Sequence, residues 1–178
     1  MLKKVVIIGP ESTGKSTLSE MLAKAYNTYS VPEYAREYLL KYGTNYRFSD
    51  LQKIMKGQLE LEDRITNRAA AERKEYVFID TDMQVIRVWS EFVFNRCDNQ
   101  TLNEIAGREY QLYLLCNTDL PWVKDELREY PDEETRRRLF HYYKDAMVNQ
   151  HIPWAEISGS YENRLRDAVN AMHKFLPD

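Results

Sequence analysis

Residues 3–17, KKVVIIGPESTGKST, restrict the fold of this chain more than any other stretch. Val5, Val6, Ile7 and Ile8 form an unbroken β-branched run, the pattern of a strand buried on both faces. From Gly9 to Ser16 the residues then fit G-x-x-x-x-G-K-[ST], the phosphate-binding P-loop. Gly9 and Gly14 let the backbone turn and approach an anion closely, where a side chain would block both. Glu11, Ser12, Thr13, Gly14, Lys15, Ser16 and Thr17 carry the backbone N–H groups expected to converge on phosphate oxygens at a helix N-terminus, where orphan donors and the dipole favour negative charge. Lys15 is placed to reach the β- and γ-phosphates, and the Ser16 hydroxyl to hold a phosphate-bound Mg²⁺. An amphipathic helix follows, with Leu18, Met21, Leu22 and Ala25 on one face, and supplies the context that a bare motif match lacks. A nucleoside triphosphate and Mg²⁺ are the expected ligands, with ATP and GTP both open at this point.

At 178 residues the chain fits one domain, 1–178, with a substantial core. A formal net charge of −3 gives no broad basic footprint, which argues against nucleic acid as a partner without excluding it. The two cysteines, Cys97 and Cys116, have neither pairing nor metal-ligand spacing, which suits a reducing compartment. Val5–Ile8 is too short for a signal-peptide core, and no run approaches a membrane span, so a cytoplasmic location with no membrane partner is expected.

Taken in order, the first helix is expected from about Gly14 to Tyr26, and Tyr29, Ser30 and Val31 form a second strand that Pro32 ends. Glu33, Tyr34 and Arg36 lie just past that strand, where α/β sheets place ligand-contacting groups. Glu33 is then a candidate to accept the hydrogen bond or proton of a substrate hydroxyl, and Arg36 to neutralise phosphate charge; a solvated helix start is the alternative. Ser49 and Gln52 form a capping box for a long helix whose charges, Glu60, Glu62, Asp63 and Arg64 among them, read as a solvated face. Tyr76–Asp80 is a second buried strand ending in a carboxylate, the shape of a Walker B strand, so Asp80 joins Ser16 as a candidate magnesium ligand. Asp82 either caps the helix that starts at once or points into the site as substrate ligand or general base. Along that helix Val85, Ile86, Val88, Trp89, Phe92 and Val93 read as core, with no stacking role for Trp89.

Thr101 and Glu104 suggest another capping box, for a short helix that Gly107 closes, and Tyr110–Cys116 a fourth strand. In P-loop kinases the segment after this strand commonly carries a mobile lid whose arginines cross the phosphates at closure. About 119–138 is assigned here as lid, with Arg128 the first choice for that role. Arg136, Arg137 and Arg138 either assist or form the solvated side of a helix whose inner face is Leu139, Phe140, Tyr143, Ala146 and Met147. Trp122 packs the lid hinge or stacks on a substrate ring. Trp154–Ile157 reads as a fifth strand, and a last helix follows with Tyr161, Leu165, Ala168, Val169, Met172 and Phe175 in register.

As an ordered set, GPESTGKST, PEYAREY, FIDTD leading into VWSE, NTDLPWVKDELR and IPWAEISGSYENRL resemble the ribosylnicotinamide kinase domain of NadR-type proteins over essentially the whole chain. The resemblance implies a nucleoside-kinase-like P-loop fold, a three-layer α/β/α sandwich on a five-stranded parallel sheet with a lid. It also implies transfer of the γ-phosphoryl of ATP to the 5′-hydroxyl of nicotinamide riboside, giving nicotinamide mononucleotide. In that reading Lys15, Glu33, Asp82 and Arg128 are catalytic, with Glu33 or Asp82 as the base, and Glu33, Tyr34, Arg36, Asp82 and Trp122 contact the nucleoside. The residues leave two alternatives open: a kinase for another nucleoside or a polynucleotide 5′-end, and a nucleotide-dependent regulatory NTPase. Asn117-Thr118-Asp119 is not the N-K-x-D signature of a GTPase.

Overall fold

The structure, a computed structural model, describes residues 1–177. Its elements are β1 (Lys3–Ile8), α1 (Lys15–Ala25), β2 (Tyr29–Val31), α2 (Tyr34–Tyr42), α3 (Phe48–Ala71), β3 (Tyr76–Asp80), α4 (Met83–Phe94), α5 (Asn99–Gly107), β4 (Leu112–Cys116), α6 (Glu133–Val148), β5 (Trp154–Ile157) and α7 (Tyr161–Phe175). The five strands form one sheet in the order β2-β3-β1-β4-β5, and every neighbouring pair is parallel. This is the three-layer α/β/α architecture expected from alternating strand and helix patterns.

Because side chains alternate along a strand, β1 feeds two cores. Val5 and Ile7 pack with Leu18 and Leu22 of α1 and with Ala168 and Met172 of α7. Val6 and Ile8 pack on the other face with Val85 and Val88 of α4 and with Leu139, Phe140 and Tyr143 of α6. All four are fully buried, each removing apolar surface worth about 1.5–3 kcal/mol from water, which places this run at the sheet centre. A third cluster joins Ala35, Tyr38 and Leu39 of α2 to Leu51, Ile54 and Met55 of α3 and to Met83 and Ile86 of α4. It fixes α2 beside the C-terminal end of the sheet.

Several local expectations are corrected. α3 starts at Phe48, before Ser49, because Asp50 reaches back to the Arg47 N–H at 2.9 Å and takes the capping role assigned to the Ser49–Gln52 pair. α5 is capped by Asp98, whose Oδ1 accepts the Thr101 N–H at 3.0 Å, so Thr101 lies inside the helix and is buried. β4 begins at Leu112, two residues after Tyr110. Glu62 is not on a solvated face. It is fully buried and accepts from Arg108 Nη1 and Tyr110 Oη, both at 2.9 Å, with Lys4 Nζ at 3.6 Å. A charge buried among these donors is compensated, as a lone carboxylate there would not be. Among the described residues no helix is long and apolar enough to cross a membrane.

Candidate active site

A cleft of about 270 Å³ opens at the C-terminal ends of the strands, floored by residues 9–17. That is where open parallel sheets bind ligands. Gly9 has φ 141°, and a Cβ there would meet the Cys116 carbonyl oxygen at 2.6 Å, so the loop lies against β4 only because this residue has no side chain. Gly14, φ 76°, is the N-cap of α1, and a Cβ would strike Leu120 at 2.9 Å. Within the loop Thr13 Oγ1 donates to the Pro10 carbonyl at 2.7 Å, and Lys15 Nζ donates to the same oxygen at 2.9 Å. The Lys15 ammonium is thus folded over the loop, while Ser16 and Thr17 are exposed along the cleft.

β3 is in register with β1 so that Asp80 lies opposite Ile7, at the foot of the loop. Asp80 is buried, and its Oδ2 has no hydrogen-bond partner among the described residues. Burial pushes its carboxyl above the ordinary range, while Lys15 and the Ser16 hydroxyl oppose that shift. A buried, unpaired carboxylate oxygen beside a serine hydroxyl fits a small hard cation with oxygen ligands. The next residue, Thr81, has φ 76°, a conformation unfavourable for a β-branched side chain. Its strain turns the chain between Asp80 at the site and Asp82 at the start of α4.

Glu33 stands at the N-cap of α2 without a side-chain capping bond and lines the cleft with Arg36. Burial raises its carboxyl above the ordinary value; Lys15 and Arg36 pull it down, and Asp80 and Glu11 push it further up. Asp82 is placed differently. Its Oδ1 accepts the Gln84 N–H at 3.0 Å and its Oδ2 the Tyr113 hydroxyl at 2.7 Å, so it caps α4 and does not line the cleft. Burial pushes its carboxyl up to about 7 from 3.8. The native state therefore holds this proton more tightly than the unfolded chain, and the stability it lends below pH about 4 is lost as pH rises towards about 7. Asp82→Asn, which keeps a cap-forming side chain, should flatten part of that slope in urea unfolding series run between pH 4 and 7.

Tyr34 is also displaced from its expected role. Its N–H donates to Gln58 Oε1 at 2.7 Å, and its ring lies over Gly57 so closely that a Cβ there would fall 2.0 Å from it. The ring belongs to the α2–α3 contact. Val85, Trp89 and Phe92, by contrast, line the cleft, with Leu39, Leu139 and Tyr143 completing an apolar wall. Trp89 Nε1 donates to Tyr46 Oη at 2.8 Å, which fixes the indole plane at this wall. Tyr143 is buried, which raises its phenol above the ordinary value.

Residues 117–132 form neither helix nor strand and cross the phosphate loop, while 133–138, assigned to the lid, are the first turns of α6. Glu11 anchors this crossing. Its carboxylate accepts the N–H groups of Glu129 at 2.9 Å and Tyr130 at 2.7 Å, and Trp122 Nε1 at 3.3 Å. The Glu11 side chain is thereby taken by the strap, and Trp122 is a strap contact outside the cleft lining. Ser12 Oγ accepts the Val123 N–H at 3.1 Å, and Arg36 Nη2 pairs with Asp125 at 2.9 Å. Arg128 lines the cleft and donates to the Val123 carbonyl. Arg136, left open in the sequence, is buried and directed at the loop, whereas Arg137 and Arg138 are exposed. Arg164, not among the candidates the sequence points to, is fully buried. Both have a sequence signal: Arg136 shares the face of Leu139, Phe140 and Tyr143, and Arg164 that of Tyr161, Leu165 and Ala168, positions where a solvated charge is not expected.

Residues 4–164 match the AAA_28 family, described as an AAA domain. The chain belongs to that family. This AAA domain is 26% identical to the trifunctional NAD biosynthesis/regulator protein NadR of Escherichia coli (strain K12), over 98% of the chain and 43% of that protein. The same identity and coverages hold for NadR of Salmonella typhimurium. The AAA domain thus spans less than half the length of the curated relatives it matches. A crystal structure of NadR in complex with NR superposes with a TM-score of 0.81 at 26% identity, covering 97% of this chain and 49% of that one. NadR in complex with NAD and AMP-PNP gives 0.76 at 25%, with the same coverages. Thymidylate kinase from Ehrlichia chaffeensis, 14% identical, shares the fold at a TM-score of 0.66 over 96% of this chain and 98% of its own.

Proposed function

We propose that this chain is an ATP-dependent kinase that phosphorylates the 5′-hydroxyl of nicotinamide riboside to give nicotinamide mononucleotide. The observation that carries this reading is one cleft that holds both halves of the reaction: the phosphate loop with Lys15, and Glu33 with an apolar, aromatic wall large enough for a nucleoside base. Similarity to NadR over 98% of the chain, including NadR bound to NR and NadR bound to the ATP analogue AMP-PNP, supports the same pair of substrates. The free cysteines, Cys97 and Cys116, and the use of ATP fit a cytoplasmic setting.

In this mechanism the loop amides and Lys15 grip the β- and γ-phosphates, and the apolar wall orients the base so that the ribose 5′-oxygen lies in line with the γ-phosphorus. Ser16 and Asp80 are the residues that would hold Mg²⁺, which would supply charge neutralisation of the phosphates. Glu33 accepts the 5′-hydroxyl proton as the oxygen–phosphorus bond forms, the bridging bond to the β-phosphate breaks, and ADP leaves with those electrons. Arg128 and Arg36, which line the cleft, would counter the charge of the transferred phosphoryl group. Incubation with ATP and nicotinamide riboside should give stoichiometric ADP and nicotinamide mononucleotide by mass spectrometry. Equal or faster turnover with uridine or with a 5′-hydroxyl oligonucleotide would reassign the acceptor.

A further inference from the structure

Two buried arginines, neither of which lines the cleft, grip carbonyls of the phosphate loop. Arg164 of α7 is fully buried; its Nε donates to the Gly159 carbonyl at 2.8 Å, Nη1 to the Thr13 carbonyl at 3.0 Å, and Nη2 to the Asn117 carbonyl at 3.0 Å and to Asp119. One guanidinium thereby ties the phosphate loop to the end of β4 and to the turn between β5 and α7. Arg136 of α6, 4% exposed, places Nη2 3.5 Å from the Ser12 carbonyl, 3.4 Å from that of Thr118 and 3.3 Å from that of Leu120.

A trans peptide directs its carbonyl and the following N–H to opposite sides. Drawing the Thr13 carbonyl towards α7 therefore turns the Gly14 N–H the other way, and drawing the Ser12 carbonyl towards α6 does the same for the Thr13 N–H. Among the described residues neither amide has a backbone acceptor in the loops and turns. Such donors cost free energy unless a ligand or water meets them, so something must hold them in place. A planar guanidinium spreads five N–H groups over three nitrogens in a fixed fork, so it reaches carbonyls on several sides that the three donors of a single ammonium nitrogen cannot span together.

We propose that Arg164, seconded by Arg136, is a positioning residue for the nucleotide phosphates: it pins loop carbonyls outward and so keeps the Gly14 and Thr13 amides aimed at the phosphoryl oxygens. The proposal rests on the reading of this loop as the ATP site. It makes the cradle preorganised, so that no backbone rearrangement is needed as charge develops. The Arg164 charge is paired with Asp119, so the field at the loop is added by Arg136, which has no carboxylate within ion-pair distance among the described residues.

The test is calorimetric binding of AMP-PNP with Mg²⁺ and of inorganic tripolyphosphate, with adenosine binding followed by ligand-observed NMR, in Arg164→Lys and Arg136→Lys. Arg164→Lys keeps the charge and most of the volume but cannot span the four acceptors. Its affinity for both polyphosphates should fall about tenfold or more, as expected for loss of one charge-assisted hydrogen bond, with adenosine affinity held within about twofold. Arg136, at longer distances, should show a smaller loss in the same ligands. A general loss of stability would lower Tm without this split between phosphate and nucleoside. Polyphosphate affinity within about twofold of wild type in Arg164→Lys, or an equal loss for adenosine, overturns the proposal and leaves the ATP reading standing. Wild-type protein that takes up neither polyphosphate removes the ATP reading and this proposal together. If Arg164→Lys is unfolded at the assay temperature, Arg136→Lys decides alone, and unchanged polyphosphate affinity in it overturns the proposal.

Discussion

Lys15→Met should lower kcat by at least about 10²–10³-fold, the loss seen when one preorganised charge-stabilising donor is removed. The Nζ of Lys15 makes one hydrogen bond, to the Pro10 carbonyl, and its side chain borders the cleft. Pro10 retains the Thr13 hydroxyl as a donor, so the loop keeps an internal brace in the variant. Stability should therefore change little, and a thermal scan of the variant should stay within a few degrees of wild type. The opposite charge that lowers Glu33 is also removed, so the remaining activity should need a higher pH. Wild-type-like turnover in a folded Lys15→Met protein would dismiss this lysine from the chemistry.

Glu33→Gln is expected to cost about 10²–10⁴-fold in single-turnover rate, the contribution of a positioned general base. Substitution by Gln keeps the shape and removes the proton acceptor, while ATP binding, which the proposed function assigns to residues 9–17, should persist. The pH profile gives the sharper measurement. Burial raises the Glu33 carboxyl, so the wild-type rate should climb with pH as that group loses its proton and then level off. The climb should sit above the range of an ordinary carboxylate, and in Glu33→Gln it should vanish. A variant that keeps both rate and profile would leave the 5′-hydroxyl proton to solvent or to phosphate. Asp82, the other carboxylate considered, has both oxygens engaged by Gln84 and Tyr113 and does not compete for the role.

Residues with a local task were legible in the sequence; those with a distant partner were not. Gly9 and Gly14 can be assigned because the turn and the anion set their requirement within a few residues of chain. Glu11 reads as part of the nucleotide loop, yet its carboxylate is spent on Trp122, Glu129 and Tyr130, more than 100 positions away. Glu62 reads as solvated because its neighbours are charged; Arg108 and Tyr110, 46 and 48 positions on, make it a buried acceptor. Trp89 and Phe92 follow core spacing, and a helical stripe does not reveal which part of an apolar face borders a cavity rather than packed side chains.

By itself, the sequence determined an α/β sheet with a phosphate loop after its first strand and an aspartate at the end of its third, because strand runs, glycine turns and a Walker-type spacing are properties of short contiguous stretches. Only the tertiary structure decided which carboxylate faces the cleft, which one caps a helix, and which arginines grip the loop. Those outcomes depend on burial and on hydrogen-bond partners that the fold brings together across up to 151 positions of chain, as between Arg164 and Thr13. Burial and partnership set the charge and direction of a side chain, and neither is encoded in the residues next to it.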